Sequence, residues 1–548
     1  MTGAGPIVVY CPAAAPGALS RTGSADYSYG FVLQRFRPVL EQLGPVTEVH
    51  DLAELTAALA VSARTPIVLS LAPVHQAPVG CGAPVVPLFA WEFDSLPYWR
   101  DGDTDTNWSA VLQQSAAAIT LSHHTAEVVA DAGVSTPVRA IPAPLAERFP
   151  QPADHLSTQQ LTITGGVVDS RKTEPDRIPP APEWDRTQIQ LDFSGGSLDT
   201  GRLVGFHRPE EWGVWSASAE LRIILPVAVS GPVRLTFHMV GLGPNAGRRI
   251  TVSLGDATGS ITLPVADGPA PVSLTVRRSS RVLTLSGVIP TPSPTAHDTR
   301  RLGLRLTSLA VTPRRSWRPR RPAAASPQAE RTVSLPGIVY TSVFNPADGR
   351  KNWQTMVTAF CHALQDEPGA TLVLKMTHRS SAAFLGSLLT ILRECRPFQC
   401  RVIALHGHMT DQEMASLAAA TDFYVNTSTG EGLCMPLLEF MSLGVPALAP
   451  RHTAMAEYLD DSNSFPIDWS TYPTCWPQDP SRRWRTHQCR VHWDSVVAAY
   501  RRSYAVACDE PRRYAAMRES ARVTIADFCN DTRVARLMAD VLEVVGAR

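Results

Sequence analysis

Apolar runs alternate with helix-like segments over residues 1–160. Gly30–Leu43 (GFVLQRFRPVLEQL) has apolar positions three and four apart, as in a helix. Ser122 is predicted to cap a helix that Gly133 ends. The apolar runs that predict strands are PIVVYCP (6–12), PIVLSLA (66–72), PVVPLFAWE (84–92), AAITLS (117–122) and PVRAIPAPL (137–145). This alternation predicts a doubly wound α/β domain with a parallel sheet.

The hydrophobic period changes to two over residues 190–312. AELRIILPV (219–227) and VRLTFHMVGL (233–242) alternate apolar with polar residues, and further short runs follow between Gly, Pro and Asp turns. Such alternation is typical of strands with one buried face. We therefore predict an antiparallel β-sandwich of seven or more strands.

The βα alternation returns after residue 333. NWQTMVTAFCHAL (352–364) is predicted as an amphipathic helix, and Thr410 with Glu413 forms a capping pattern for another. The predicted strands are LPGIVYTSVFN (335–345), ATLVLKMT (370–377), CRVIALHG (400–407) and TDFYVNTS (421–428). A second Rossmann-like domain with a parallel sheet follows from this pattern.

These patterns divide the chain into six segments, and the predicted fold is two parallel-sheet α/β domains that bracket an all-β antiparallel sandwich. The segments are the first Rossmann-like domain (1–160), a linker (161–189), the sandwich (190–312), a basic Pro/Ala-rich linker (313–332), the second Rossmann-like domain (333–490) and carboxyl-terminal helices (491–548).

Composition and charge exclude several classes of protein. The chain has 548 residues, 44% of them hydrophobic, and its 50 basic residues balance 50 acidic ones, so we expect no nucleic-acid partner. Ten cysteines without a C-x-x-C pair indicate neither a disulfide framework nor a zinc site. No apolar run reaches the roughly 20 residues of a membrane span. We expect a cytoplasmic protein, and contact with the inner face of the membrane and homo-oligomerisation stay open.

Two glutamates stand in STGEGLCMPLLEFMSLGVPALAP (428–450), with seven residues between them. Glu431 lies between Gly430 and Gly432, whereas Glu439 lies in a predicted apolar helix. Pro436 fits the first turn of that helix, where the missing N–H of proline costs nothing. A helix that starts after a glycine-containing turn offers free N–H groups to a phosphate. The simpler interpretation is a surface glutamate followed by a core helix.

This stretch closely resembles the E-x7-E signature of the large family four of retaining GT-B glycosyltransferases. VFNPADGRKNWQTMVTAF (343–360) resembles the family's phosphate loop and following helix, and HGHMTDQEMASLAAATDFYVNTSTGEG (406–432) its intervening strand–helix–strand pattern. The resemblance is strong over 335–460 and weak over 1–150. It implies a GT-B fold and a metal-independent, retaining hexosyl transfer from a nucleoside-diphosphate sugar to a glycan or lipid-linked acceptor, in bacterial polysaccharide or glycolipid synthesis.

The resemblance also implies roles for single residues. Glu439 would hold the ribose and Glu431 the transferred sugar, while Lys351 and Arg350 would neutralise the leaving diphosphate. Many relatives carry an arginine before that lysine, where this chain has Asn345. The other implied donor-binding residues are Gly430, Gly432 and Leu433.

The first domain would bind the acceptor, and the carboxyl-terminal helices would cross back onto it. Tyr29 and Gly30 follow a loop at the expected cleft, and Trp91 with Glu92 ends a strand at its edge, where a core tryptophan with a capping glutamate is an equal alternative. His75, His123 and His124 are further candidates, which we expect to be surface or capping residues instead.

We expect no metal site and no other cofactor. Asp101, Asp103 and Asp105 alternate in DGDTDTNW (101–108), but Thr106 and Leu112 stand where an EF-hand needs glycine and glutamate. A turn that caps a helix starting near Asn107 is the better interpretation.

The sandwich resembles the carbohydrate-binding-module-like domains of bacterial polysaccharide enzymes. Trp212 and Trp215 would stack on sugars. Alternatively they plug the core, with Arg300 paired to Glu211 or Glu220. For the whole chain, two other classes stay open: a GT-B epimerase or phosphorylase, and a non-catalytic carbohydrate-binding scaffold.

Overall fold

The computed structural model describes most of the chain, in two compact units. The first unit comprises Met1–Asp176, Pro327–Trp476 and Arg483–Arg548, and the second is built on Arg177–Ser326. The described residues are 5–14, 27–97, 107–145, 158–172, 184, 186, 188–193, 203–207, 210, 212–293, 300–314, 330–377, 382–407, 409–475 and 485–547.

The amino-terminal lobe, residues 5–145, contains a six-stranded sheet in the order β2-β1-β3-β4-β5-β6, and every ladder in it is parallel. Its strands are β1 (Ile7–Tyr10), β2 (Val46–Val49), β3 (Ile67–Ser70), β4 (Val85–Phe89), β5 (Ala118–Thr120) and β6 (Val138–Ala140). The β1 and β3 runs are buried throughout, as parallel strands covered on both faces require. Only β2, a half-exposed edge strand, was not predicted from the apolar runs.

Four α-helices lie in the part of this lobe that the structure describes: α1 (Tyr27–Leu43), α2 (Leu52–Val61), α3 (Trp108–Gln113) and α4 (His123–Asp131). The Ser122 side chain accepts a hydrogen bond from the Thr125 amide at the start of α4, and Gly133 takes φ +73° after its end. Asn107 caps α3, as predicted, while the aspartates of 101–105 lie outside the described residues.

Two strands occupy the start of the predicted linker. β7 (Thr158–Thr164) pairs antiparallel with a strand at 330–336, and β8 (Gly166–Asp169) forms the antiparallel edge of the second Rossmann-like sheet. The prediction of a linker from residue 161 is therefore wrong over these residues. Leu161 and Ile163 of β7 are buried and alternate with polar residues, so the sequence carried a short period-two signal that the linker prediction overlooked.

The second unit is an antiparallel sheet of eight strands, β9–β15 and β18, beside a two-stranded pair. Inward residues from both halves of the long strands β12 and β15 join one core, as a sandwich requires. The strands are β9 (Ile189–Asp192), β10 (Leu203–Val204), β11 (Val214–Trp215), β12 (Glu220–Gly241), β13 (Arg249–Leu254), β14 (Ala257–Thr262), β15 (Gly268–Ser286), β16 (Thr291–Pro292), β17 (Arg301–Leu302) and β18 (Leu304–Pro313).

The carboxyl-terminal lobe, residues 330–491 with β8, contains a seven-stranded sheet in the order β25-β24-β23-β20-β21-β22-β8, parallel except for β8. β19 pairs with β7, and β26 pairs with β27 outside this sheet. The strands are β19 (Glu330–Pro336), β20 (Ile338–Phe344), β21 (Ala370–Met376), β22 (Arg401–His406), β23 (Phe423–Val425), β24 (Ala447–Ala449), β25 (Ser464–Pro466), β26 (Trp469–Cys475) and β27 (Arg485–Val491).

The described residues of the first unit hold seven further α-helices: α5 (Trp353–Ala363), α6 (Ala382–Cys395), α7 (Asp411–Ala419), α8 (Met435–Ser442), α9 (Trp493–Asp509), α10 (Pro511–Phe528) and α11 (Asp531–Gly546). The capping box of Thr410 and Glu413 is present at α7. The last helix, α11, packs on α1 and β3, and its apolar face joins the core of the amino-terminal lobe. Among the described helices, none has both the length and the apolar character of a membrane span.

Candidate active site

The order of strands places two loops together in the carboxyl-terminal lobe. β21 and β22 lie on one side of β20, whereas β23, β24 and β25 lie on the other. Successive strands are therefore added on opposite sides of β20, which makes the gap between β20 and β23 a topological switch point, and the crevice outside such a point is where doubly wound sheets bind ligands. The loop after β20 carries Lys351, and the loop after β23 carries Glu431.

Lys351 and Glu431 meet at this point. The Lys351 Nζ donates to Glu431 Oε1 at 2.6 Å. Ser428 Oγ donates to the same oxygen at 2.6 Å and Asn426 Nδ2 at 3.2 Å. Burial alone would raise the pKa of Glu431, but Lys351 and Arg350 outweigh it and hold this pKa at about 2. The carboxylate is therefore ionised at neutral pH.

The loop after β20 is tightly ordered around Lys351. The Asp348 side chain accepts from the Arg350 amide at the start of a 3-10 turn, and Asn352 ends that turn in the left-handed region with φ 46°. Thr427 Oγ1 donates to the carbonyls of Lys351 and Asn352 at 3.2 and 3.1 Å, which joins the two loops. Burial lowers the pKa of Lys351, but Glu431 reverses the effect and leaves it raised.

Arg350 joins this lobe to the other one. Its Nε lies 3.1 Å from Glu92 Oε1, its Nη2 donates to Asp348 at 2.7 Å and its Nη1 to the Gly430 carbonyl at 2.8 Å. Burial raises the pKa of Glu92, although Arg350 opposes this shift. Three acceptors therefore engage the guanidinium, which fixes the Gly430 loop against the end of β4.

The loop that carries Glu431 packs closely on the residues after β4, and this close packing requires the two glycines beside Glu431. A Cβ on Gly430 would lie 2.6 Å from the Glu92 carbonyl oxygen, and one on Gly432 would lie 2.8 Å from the Ala90 Cβ. Both distances are shorter than side-chain atoms tolerate. The glycines thus allow the loop after β23 to pack on the strand end that carries Trp91 and Glu92.

Helix α8 begins directly after this loop. Cys434 precedes it with φ 64°, no side chain caps the first turn, and Pro436 lies in that turn as predicted. Leu433 is buried, and its carbonyl accepts from Tyr458 at 2.8 Å. In the first turn of α8 the Leu437 amide donates to the Cys434 carbonyl at 3.0 Å, and Pro436 has no N–H. Of the described amides there, that of Met435 is thus the one that neither a cap nor this turn engages, and the positive end of the helix dipole faces the loop.

Glu439, further along α8, is paired across the lobes. Its Oε1 accepts from Arg35 Nη2 at 2.6 Å, and the two side chains are 6% and 13% exposed. Arg35 lies on α1, so the helix that follows the first loop of the amino-terminal lobe reaches the predicted ribose-binding residue. The sequence did not single out Arg35.

The predicted acceptor-side residues separate into two groups. Glu92 faces the site, whereas Tyr29 is buried in the lobe's core and Gly30 packs on the backbone of Ala13. The Trp91 ring packs on Trp108 with centroids 4.6 Å apart. Among the described contacts, none brings Tyr29, Gly30 or the Trp91 ring to Glu431.

Asn345, which stands where many relatives carry an arginine, accepts a hydrogen bond from the Ala347 amide at 3.1 Å, and this bond shapes the turn after β20.

Histidines surround the site at its outer side. His123 and His124 begin α4 and line a cleft beside Glu92, whereas His75 accepts from Trp108 at 3.2 Å. The sequence analysis missed His452, which is buried and lies 3.0 Å from the Ser428 carbonyl. Its only signal was its place three residues after the end of β24. Within the described ranges, no three His, Cys, Asp or Glu side chains form a group that could hold a metal.

The aromatic residues of the second unit differ from one another. Trp212 is 53% exposed, whereas Trp215 is half-buried beneath Arg305, with 5.9 Å between the guanidinium carbon and the ring centroid. Arg300 pairs with Glu210. The predicted alternative paired Arg300 with Glu211 or Glu220. It is wrong for Glu220, because the Glu220 carboxylate accepts from Arg222 instead. Glu211 lies outside the described residues.

Two segments of the chain match known families. Residues 182–313 match a domain of unknown function, DUF7024, and residues 336–469 match the family described as Glycosyl transferases group 1. No protein with a curated description matches the chain. Together with the two parallel sheets, the second match confirms the predicted GT-B fold and supports a glycosyltransferase.

Several solved structures are similar to this chain. The Anabaena protein HepE, in complex with UDP and glucose, is 10% identical over 98% of this chain and 99% of its own, with a TM-score of 0.45. Sucrose-phosphate synthase from Thermosynechococcus elongatus is 11% identical over 98% of both chains, with a TM-score of 0.47. The pneumococcal O-GlcNAc transferase GtfA, with UDP and GlcNAc, is 16% identical with a TM-score of 0.28, and the match covers 38% of this chain and 36% of GtfA.

Proposed function

We propose that this protein is a retaining glycosyltransferase that moves a sugar from a nucleoside-diphosphate sugar to a glycan or lipid-linked acceptor. The observation that carries the proposal is the contact of Lys351 with Glu431 at the switch point, beside the uncapped start of α8. The match of residues 336–469 to group 1 glycosyl transferases supports it.

In this proposal the diphosphate lies between Lys351 and the first turn of α8. The helix amides and the ammonium group supply the positive charge that a departing nucleoside diphosphate needs. Gly432 and Leu433 precede that turn, and their amides contact the phosphates or the sugar. Arg350 acts by holding the Gly430 loop in place, because carboxylates and a carbonyl already engage its guanidinium.

Glu431 and Glu439 take different parts of the donor. Glu431 accepts hydrogen bonds from hydroxyls of the transferred sugar, and Glu439 accepts them from the ribose, where the contact with Arg35 orients it. The bond from the anomeric carbon to the phosphate oxygen breaks, and the acceptor oxygen bonds to the same face of that carbon. The leaving phosphate oxygen takes the acceptor's proton, so no separate protein base is required.

The first experiment is a thermal-shift panel of UDP-, GDP- and dTDP-sugars, because a ligand that binds the native state raises its melting temperature. Release of nucleoside diphosphate from the best donor is then measured for Lys351→Met and Glu431→Gln. Lys172→Met is the matched control, since the Lys172 side chain is 79% exposed. We expect both site variants to lose turnover by a factor of roughly a hundred or more, as loss of one charge-stabilising group does.

The outcomes separate the competing functions. An inverted anomeric configuration in the product, read by NMR, would refute retention. Conversion of the nucleotide sugar without any acceptor would favour an epimerase, and conversion that needs inorganic phosphate would favour a phosphorylase. Carbohydrate binding without consumption of any donor would favour a scaffold. Carbohydrate binding by the sandwich and membrane contact stay predictions.

A further inference from the structure

A cleft of about 460 Å³ lies beside the candidate active site. One wall comes from the amino-terminal lobe, through Glu92 and the start of α4. A second wall is the segment Arg451–Glu457 after β24. The third wall is the strand pair β26–β27, which stands outside both Rossmann-like sheets. Glu92 and Thr429 at its inner end place it next to the Lys351–Glu431 contact.

The strand pair is fixed to two parts of the site. The Cys489 amide donates to the Thr429 carbonyl at 2.9 Å, within the loop that carries Glu431. Asp94, two residues after Glu92, accepts from the His487 amide at 2.9 Å and from Thr486 Oγ1 at 2.8 Å. The wall is therefore held against the reacting centre by both lobes.

The two faces of β26 have different surroundings. Alternate residues share a face, so Trp469 and Thr471 line the cleft while Tyr472 points the other way. Arg490 packs over the Tyr472 ring, 5.7 Å from its centroid, on that outer face. Trp469 is 36% exposed and meets the His452 ring edge to face at 5.4 Å. His452 thus fixes the orientation of a partly exposed indole that lines the cleft.

The charges of the cleft select against anions. Four carboxylates line it, on Glu92, Asp94, Glu127 and Glu457, and of these Glu92 pairs with Arg350 while Asp94 is bonded to His487. The one arginine that lines it, Arg451, has its Nη2 2.6 Å from Asp461, so the lining carboxylates outnumber the cations. Burial lowers the pKa of His452 to about 4, so this ring adds no charge at neutral pH. Carboxylates accept hydrogen bonds from hydroxyl groups but repel phosphates and uronates.

We propose that this cleft binds the acceptor as an uncharged pyranose, whose ring stacks on Trp469, and that the β26–β27 pair is an acceptor-specificity element. An amphipathic aromatic face with nearby polar groups suits a sugar, which has an apolar ring face and a polar edge. The assignment of this sugar as the acceptor rests on the proposed function, because the cleft adjoins the place where the anomeric carbon would react.

Saturation-transfer NMR on the full chain tests this site directly. The ligands are the methyl pyranosides of glucose, galactose, mannose and N-acetylglucosamine, with methyl glucuronide and glucose 6-phosphate as anionic counterparts, each with and without UDP. We expect the neutral glycosides to bind and Trp469→Ala to weaken them about tenfold, the loss expected for one stacking contact. Trp469→Phe should retain binding, and so should Tyr472→Ala, which removes an exposed aromatic from the opposite face of the same strand.

The outcomes are distinguishable. Binding of UDP without any neutral glycoside would overturn the cleft assignment and leave the proposed transfer intact. Equal losses in Trp469→Ala and Tyr472→Ala would overturn the role of the indole face, and stronger binding of the anionic sugars would overturn the chemical class. Glycoside binding without binding of UDP, GDP or dTDP would retain the sugar site but contradict the transferase.

Discussion

The contact between Lys351 and Glu431 makes a quantitative prediction about stability. The pKa of Glu431 falls from 4.5 to about 2 in the folded chain. At about 1.4 kcal/mol for each tenfold change in proton affinity, this amounts to about 3 kcal/mol. The two side chains are only 19% and 6% exposed, so solvent screening removes little of it. Lys351 is the largest of the groups that lower this pKa, beside Arg350 and Ser428, so Lys351→Met should destabilise the carboxyl-terminal lobe by up to about 3 kcal/mol at pH 7, because it leaves a buried carboxylate with less counter-charge.

A double-mutant cycle isolates this interaction. Lys351→Met, Glu431→Gln and the double variant are compared with the wild type by native-state hydrogen exchange of β23 and α8 amides, which report on this lobe. We expect a coupling energy of about 2–3 kcal/mol. A coupling below about 0.5 kcal/mol would refute the reasoning. Lys172→Met should leave the exchange rates unchanged.

The same pair gives a pH dependence of known sign. A carboxyl whose folded pKa is depressed stabilises the fold above its unfolded pKa, and this contribution is lost as the pH falls through the folded pKa. The free energy of unfolding should therefore decline between pH 4.5 and about 2 in the wild type. Glu431→Gln should show a flatter decline over that window, and parallel curves for the two proteins would contradict the shift.

Three further changes probe other parts of the first unit. Gly432→Ala places a Cβ 2.8 Å from its nearest neighbour, so turnover should fall roughly tenfold or more at unchanged circular dichroism, whereas Gly386→Ala, which meets nothing within 4 Å, should be harmless. Burial lowers the pKa of Lys375 from 10.5 to about 8, so the buried ammonium group destabilises the fold and Lys375→Met should be more stable than the wild type at pH 7. This cost disappears as the lysine loses its proton, so the urea midpoints of the two proteins should converge as the pH rises from 8 to 10.5. Asp94→Ala removes the acceptor of the His487 amide, whose hydrogen exchange should accelerate; an unchanged rate would contradict the contact.

The sequence predicted most of the two Rossmann-like sheets because their central strands are buried on both faces. β1 is apolar or aromatic throughout, and β3 and β21 are buried along their whole length with only Ser70, Thr371 and Lys375 as polar residues, so the apolar runs stand out. The strand β26 was missed for the opposite reason. Five of its seven residues are exposed, and neither face shows an apolar period. Edge strands and isolated strand pairs of this kind are specified by their partners in space, which a local pattern does not contain.

The chemistry of the candidate site could be predicted only in part. Lys351 and Glu431 were each identified from motifs, but their contact depends on the order of strands, which places β20 beside β23. The glycines around Glu431 were interpreted as part of a phosphate-binding turn. The structure shows that, because they lack a Cβ, the loop can pack closely against the residues that follow β4. Arg35 carried no motif at all. It was missed because its partner, Glu439, lies in the other lobe.

Opposite charges meet across the two lobes in two of the described contacts, and this bears on donor binding. Arg35 pairs with Glu439 and Arg350 with Glu92, while Asp94 is hydrogen-bonded to His487. In the proposed complex a diphosphate brings negative charge to Lys351, so Glu431 loses part of its counter-charge in the same step. The hydroxyls of the donor sugar then replace the ammonium group as its hydrogen-bond donors. Nucleotide without its sugar leaves the buried Glu431 carboxylate poorly compensated, and this cost favours the intact donor over the nucleoside diphosphate that remains after transfer.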